Sequence, residues 1–186
     1  ARNVNSVYFD TYNYTSIRQN LDGVSNKKKI RIRWYGDLEN IINPYLEIKS
    51  KRGFETKKII MGIKELENIN LSNFKSLELV KQKVNLKLKM KKTIYPILTT
   101  HYEREYFISR DKHVRATVDY NLKSIFVSNL SQSEIIKNYS HKSILEFKYP
   151  IGLDYYVRKN LKNITLRLSK NSKFVNSAFE TPNFFS

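Results

Sequence analysis

Alternation of apolar and polar positions dominates this chain, and it is sharpest over residues 27–53. Read with period two, Lys29, Arg31, Arg33 and Tyr35 fall on one face, and Ile30, Ile32 and Trp34 on the other. After a short connection the pattern returns, with Tyr45, Glu47, Lys49 and Lys51 against Leu46, Ile48 and Ser50. Strand residues alternate between the two faces of a sheet, so two neighbouring strands are predicted, each with one face given to charge. The same parity recurs downstream. Tyr102, Arg104 and Tyr106 share a face in "THYEREYF"; Arg115, Thr117 and Asp119 oppose Val114, Ala116 and Val118; Glu146 and Lys148 oppose Leu145, Phe147 and Tyr149.

The rest of the pattern is mainly strands with a few helices. Residues 4–10 ("VNSVYFD") read as a strand, followed by a short irregular or helical connection, "TYNYTSIRQNLDG". "FETKKIIMG" predicts a strand ending at Gly62. Phe74, Leu77, Val80 and Val84 stand at helical spacing, with Ser72 as the expected cap. "YPILTTHYEREYFIS", "VRATVDY", "KSIFVS" and "KSILEFKYP" read as four strands, "LDYYVRKNLKNI" and "NSKFVNSAF" as helices. Gly and Pro number only 5 and 4, so no flexible linker divides the chain. A single domain over residues 1–186 is expected, because 186 residues suffice for one core and hardly for two.

Composition changes the picture in one respect. The chain carries 34 Lys+Arg against 17 Asp+Glu, a net charge of +17, which implies a polyanionic partner. Cysteine is absent, which excludes disulfides and thiolate zinc sites. No apolar run reaches the roughly 20 residues of a membrane span. Ala1 is followed at once by polar residues, which does not read as a signal peptide, and a cytoplasmic location is expected. His101, His113 and His141 lack zinc-ligand spacing, and neither a glycine-rich phosphate loop nor a serine elbow occurs.

Cations sorted onto one face of several strands are costly if they meet. Two like charges about 6 Å apart repel by roughly 2.8 kcal/mol at an effective dielectric near 20. Glu47, Asp119 and Glu146 on the same faces relieve part of this, and bound anions would relieve the rest, since the planar fork of Arg suits phosphate. The fold class expected is therefore α+β: an antiparallel β-barrel-like tunnel with a charged interior, flanked by helices.

"SVYFDT", "KIRIRWYG", "YLEIKSKRG", "YEREYF", "VRATVDY", "ILEFKYP" and "NSKFV" occur in this order. In that they resemble the VTC domain, the polyphosphate polymerase domain of the vacuolar transporter chaperone family and its bacterial relatives, within the triphosphate tunnel enzymes. The resemblance runs from Ser6 to about Val175. It implies transfer of the terminal phosphoryl of ATP to a growing polyphosphate chain inside a basic tunnel, with Mn2+ or Mg2+ as cofactor. ATP, polyphosphate, and pyrophosphate or triphosphate are the implied partners. By motif, Arg31 and Arg33 resemble the family's phosphate-binding pair and Lys49 its tunnel lysine. Lys57, or Lys58 because the spacing is ambiguous, resembles the basic residue of the next strand. Tyr102, Arg104, Arg115, Lys148, Lys170, Ser172 and Lys173 complete the phosphate-binding set, and Glu146 with Glu47 the metal ligands. No nucleophilic side chain is implied. The family's N-terminal helix and first strand have no counterpart before "SVYFDT", so a partner chain or a further N-terminal segment is expected to complete the tunnel.

Other readings survive the sequence. Triphosphate hydrolysis or polyphosphate binding without turnover fits the same residues. Nucleic acid is a more distant alternative, because the aromatic-glycine signature of an RNA-recognition sheet is missing. In "VKQKVNLKLKMKK" Val84, Leu86, Leu88 and Met90 alternate with period two, which argues against a membrane-surface helix.

Overall fold

The computed structural model describes residues 1–71, 74–127, 135–162, 169 and 171–180. Its strands are β1 (Arg2–Asp10), β2 (Lys27–Tyr35), β3 (Tyr45–Arg52), β4 (Glu55–Gly62), β5 (Tyr95–Ile108), β6 (Arg115–Val127), β7 (Ile135–Ser140) and β8 (Ile144–Lys148). Its helices are α1 (Thr15–Leu21), α2 (Phe74–Leu88), α3 (Asp154–Asn160) and α4 (Lys173–Phe179). All strands belong to one antiparallel sheet in the order β4-β3-β2-β1-β5-β6-β7, with β8 pairing the same strand as β7 further along β6. The order runs from β4 to β7 without returning, so the sheet curls into a half-barrel rather than a closed ring among the described residues. The α+β, barrel-like expectation holds at that level.

Alternation decides where the core sits. Val7, Phe9, Ile30, Ile32, Trp34, Leu46 and Ile48 project from β1, β2 and β3 on one side, and Val80 and Val84 of α2 close over them with Ile63, Leu66 and Ile94. Trp34 is fully buried, and its indole N–H donates to the carbonyl of Asp37 at 2.8 Å. A second, smaller core forms on the other side, at one end only. There Tyr8, Leu98 and Phe126 meet Ile17 of α1 and Phe174 and Ala178 of α4, with the rings of Tyr8 and Phe174 stacked at 4.9 Å. Strand β1 lies mid-sheet with both faces covered, which is why residues 4–10 are all buried although Asn5, Ser6 and Asp10 among them are polar.

Two local devices hold the helices. Asp10, itself buried, accepts the backbone N–H groups of Ser16 at 2.8 Å and Ile17 at 2.9 Å and so satisfies the open end of α1. Ser172 accepts from the N–H of Val175 at 3.4 Å and caps α4. The connection "TYNYTSIRQNLDG" thus contains a true helix, while the expected cap at Ser72 lies outside the described residues.

The pattern misleads at two places. "VRATVDY" and "KSIFVS" are not separate strands but one, β6. Asn121 between them adopts φ 53° and reads as a turn, yet a register shift opposite it, between His101 and Glu103 of β5, absorbs the irregularity and pairing resumes. Strand β7 has no period-two signal in the sequence; its backbone pairs with residues 122–127 of β6. Among the described residues no helix is long and apolar enough to cross a membrane.

Ile32 is fully buried at the centre of the larger core. Ile32→Ala should destabilise the fold by about 2–5 kcal/mol, read from denaturant unfolding followed by the fluorescence of Trp34, the chain's single tryptophan.

Candidate functional site

Cross-strand register determines which side chains share a surface, because residues directly opposite one another point the same way. Arg31 stands opposite Tyr8 on one side and Glu47 on the other; Arg33 stands opposite Ser6 and Tyr45. Lys29 faces Lys49, which faces Lys58. Across β1, Val4 is in register with Tyr102 and Ser6 with Thr100. On β6, Asp119 faces Arg104, Thr117 faces Glu146, and Arg115 lies between Ile108 and Lys148. Arg31, Arg33, Lys49, Tyr102, Arg104, Arg115, Glu146 and Lys148 therefore occupy the sheet face turned away from α2. Lys57 does not: it is in register with Ser50, on the opposite face, and Lys58 is the residue that the ambiguous spacing should have selected. Ser172 and Lys173 reach this face from the start of α4, and Lys170 lies outside the described residues.

Two ion-pair clusters divide the face. In the first, the Arg31 guanidinium binds Glu47, with Nε donating to Oε2 at 2.5 Å, and donates to the Tyr8 hydroxyl at 3.1 Å. Lys58 holds the other Glu47 oxygen at 2.7 Å. In the second, Arg104 grips Asp119 with two parallel bonds of 2.5 and 2.7 Å, and Lys173 pairs with Asp119 Oδ2 while lying 4.6 Å from the centre of the Tyr102 ring. Burial pushes both carboxyls up, but their cationic partners outweigh it, and Glu47 and Asp119 end below the ordinary carboxylate range.

Between the clusters lie two cations that make no ion pair among the described residues. Arg33 is only 8% exposed, and its guanidinium donates to two neutral oxygens, Ser6 Oγ at 3.3 Å and the Tyr102 hydroxyl at 3.2 Å. Lys29 donates to Ser172 Oγ at 2.7 Å; burial and the neighbouring Lys49, Lys27 and Arg31 bring its ammonium down to about 8. The two buried phenols respond in opposite directions. Burial raises Tyr102 to about 12, whereas Tyr8, also opposed by burial, is held below its ordinary value by Arg31, Arg33 and Lys173.

For a metal, the residues present are a partial match. Glu47 has both oxygens taken by Arg31 and Lys58, so it acts as their counter-charge and not as the open ligand expected from the motif. Glu146 is about half exposed, with Lys148 at 3.3 Å from one oxygen. Among the described residues no three His, Cys, Asp or Glu side chains gather as a metal cage. One carboxylate completed by phosphate oxygens and water is nonetheless a donor set that Mg2+ and Mn2+ accept. The residues fit a metal that arrives with phosphate.

Sequence reasoning omitted Lys29 and Tyr8 from the site, left Lys58 as an alternative to Lys57, and brought in Asp119 only as a charge that relieves repulsion. Lys29 was legible, since it shares the parity of Arg31 and Arg33. Tyr8 was not, because its strand carries no charge signal.

Asp119→Asn should cost about 3–5 kcal/mol at neutral pH, because it leaves Arg104 and Lys173 facing a neutral amide in a buried place. A carboxyl held low in the fold stabilises above the ordinary aspartate value of about 3.9, and that contribution is lost as pH falls through the lowered value. Thermal unfolding followed down the acid range should therefore be less steep for the variant than for the parent.

Comparison with known proteins agrees with the motifs. No curated protein matches the chain. A family model does, over residues 1–179, which takes in every strand and helix described above. On that match the chain belongs to the VTC domain family.

Proposed function

We propose that the face turned away from α2 binds linear phosphate chains, and that the protein is a polyphosphate polymerase that transfers the terminal phosphoryl of ATP to the end of such a chain. The observation that carries this reading is Arg33: a buried guanidinium whose hydrogen bonds go to two neutral hydroxyls, with no carboxylate in ion-pair contact among the described residues, since the nearby Glu47 has both oxygens on Arg31 and Lys58. A buried charge without a partner is expensive, and a phosphate supplies the missing charge with the bidentate geometry that Arg prefers. Lys29 repeats the argument beside it. The VTC family, associated with polyphosphate chemistry, supports the same class of ligand.

The reaction asks for positioning and charge, not for a protein nucleophile. A terminal oxygen of the chain attacks the γ-phosphorus of ATP, the bond from that phosphorus to the bridging oxygen breaks, and ADP leaves with the electron pair. Charge in the transition state spreads over the equatorial phosphoryl oxygens. Arg33 and Lys29 meet that charge, with Arg31 and Arg104 held in place by Glu47 and Asp119 before any ligand arrives. Glu146 is the carboxylate that would hold the divalent metal against the phosphates, where the ion supplies Lewis-acid neutralisation.

Purified protein incubated with ATP and manganese should form a polymer that stains as polyphosphate on a gel, and chelation should stop it. Released orthophosphate without polymer would instead assign triphosphate hydrolysis, and absence of both would leave binding alone. Arg33→Ala should weaken tripolyphosphate binding by about one to two decades, since it removes charge-assisted bonds of roughly 1.5–3 kcal/mol.

The lysine beside it makes a second expectation. An anion favours the charged form of Lys29 and raises its value from about 8. Tripolyphosphate binding should therefore take up protons near pH 8, and affinity should fall as pH rises through that region. Calorimetry in buffers of different ionisation enthalpy reads the uptake, and Lys29→Met should abolish most of it.

A further inference from the structure

The same face continues past both ion-pair clusters and ends in a basic cavity. On β6, Arg115 lies four residues beyond Asp119, about 13 Å along the strand. There the hairpin between β5 and β6 turns over, and a cavity of about 560 Å3 opens, bounded by Lys112, His113, Arg115, Lys148, Tyr149 and Ile108. Among the described residues its lining contains no carboxylate, although Lys148 has Glu146 at 3.3 Å beside it.

The hairpin tip has a set shape. Lys112 sits at φ 63°, a left-handed conformation that costs a side-chain-bearing residue roughly 1–2 kcal/mol. It is held there by a local network: Ser109 Oγ donates to Asp111 Oδ1, the His113 N–H donates to the same oxygen at 3.1 Å, and the Val114 N–H donates to Ser109 Oγ at 3.0 Å. The Lys112 N–H closes the turn on the Ser109 carbonyl at 2.9 Å. Asp111 thus spends its charge on the turn. Opposite, Tyr149 is fixed by its hydroxyl donating to Asp154 at 2.9 Å, and Asp154 also holds Arg158 at 2.7 Å. A strained turn stabilised by its own hydrogen bonds, bringing a lysine and a histidine to a cavity already lined by Arg115 and Lys148, is a local cost with no packing return, since Lys112 and His113 are exposed.

We propose that this cavity is an outer subsite for linear polyphosphate, in which Lys112 and His113 hold the part of a long chain that extends beyond the triphosphate-length segment at Arg31, Arg33 and Arg104. This rests on the phosphate-binding reading of the face and adds chain-length selectivity to it. Three linked phosphoryl groups seated among the central arginines do not extend to the hairpin tip, whereas a longer chain lies on both.

The test compares tripolyphosphate with long-chain polyphosphate, by calorimetric titration at one fixed salt concentration, on three proteins. These are the parent, Lys112→Ala/His113→Ala, and Lys91→Ala/Lys92→Ala as a control with two cations removed from an exposed turn elsewhere. The subsite predicts that the hairpin variant loses about tenfold in affinity for the long chain, the size of one charge-assisted contact, and stays within about twofold of the parent for tripolyphosphate. The control should keep both affinities. A hairpin variant that binds the long chain as the parent does, or loses both ligands equally, overturns the subsite while leaving phosphate binding intact. A control that loses as much as the hairpin variant overturns it too, since diffuse charge then accounts for the effect. A parent that binds neither ligand overturns the subsite together with the reading beneath it.

Discussion

The arrangement of this protein depends on how one face of a sheet tolerates more positive than negative charge. Arg31, Arg104, Lys58 and Lys173 share Glu47 and Asp119, so each of the two buried carboxylates is held by two cations and offsets the charge of one of them. Arg33 and Lys29 are left over, solvated by hydroxyls. Like-charge repulsion in a partly buried place is worth a few kcal/mol per pair, comparable with the stability of a whole domain. It is sustained because the opposite face is apolar and covered, so burial stabilises what charge destabilises.

Helix α4 is the element that joins the two. Its first residues carry ions and its later ones carry apolar contacts. Lys173 binds Asp119 on β6 and Ser172 accepts from Lys29 on β2, while Phe174 stacks on Tyr8 and Ala178 packs beneath. One short helix thus spans strands that are not neighbours in the sheet and closes one end of the charged face. Tyr8 marks the boundary. Its ring belongs to the small core and its hydroxyl to the guanidinium of Arg31, and the surrounding cations hold its pKa below the ordinary phenol value in spite of burial.

The geometry also separates two kinds of arginine that chemistry alone makes equal. Arg31 and Arg104 are anchored by carboxylates and bring fixed positive charge to a set position, which is preorganisation. Arg33 has no such anchor and carries the unmet charge. Glu47 and Asp119 serve the cations, whereas Glu146, exposed on β8, has only Lys148 beside it among the described residues.

What the sequence determined by itself was parity. Side chains alternate along a strand whatever lies beside it, so the shared face of Lys29, Arg31, Arg33, Tyr102, Arg104, Arg115 and Glu146 was readable residue by residue. The ordered motifs were equally local, and they led to the VTC family. Tertiary structure decided the partners. Lys57 and Lys58 are adjacent in sequence, and only the register of β4 on β3 sends the second toward Glu47. Whether Glu47 was a metal ligand or a counter-charge depended on Arg31 reaching it from β2. That β6 continues through Asn121 depended on a bulge there, with two β6 residues opposite Tyr102 of β5, and β7 exists as a strand because β6 offers it a free edge. Each of these outcomes is a contact between distant parts of the chain, fixed by register and burial when the sheet assembles, and period two within one strand contains no information about it.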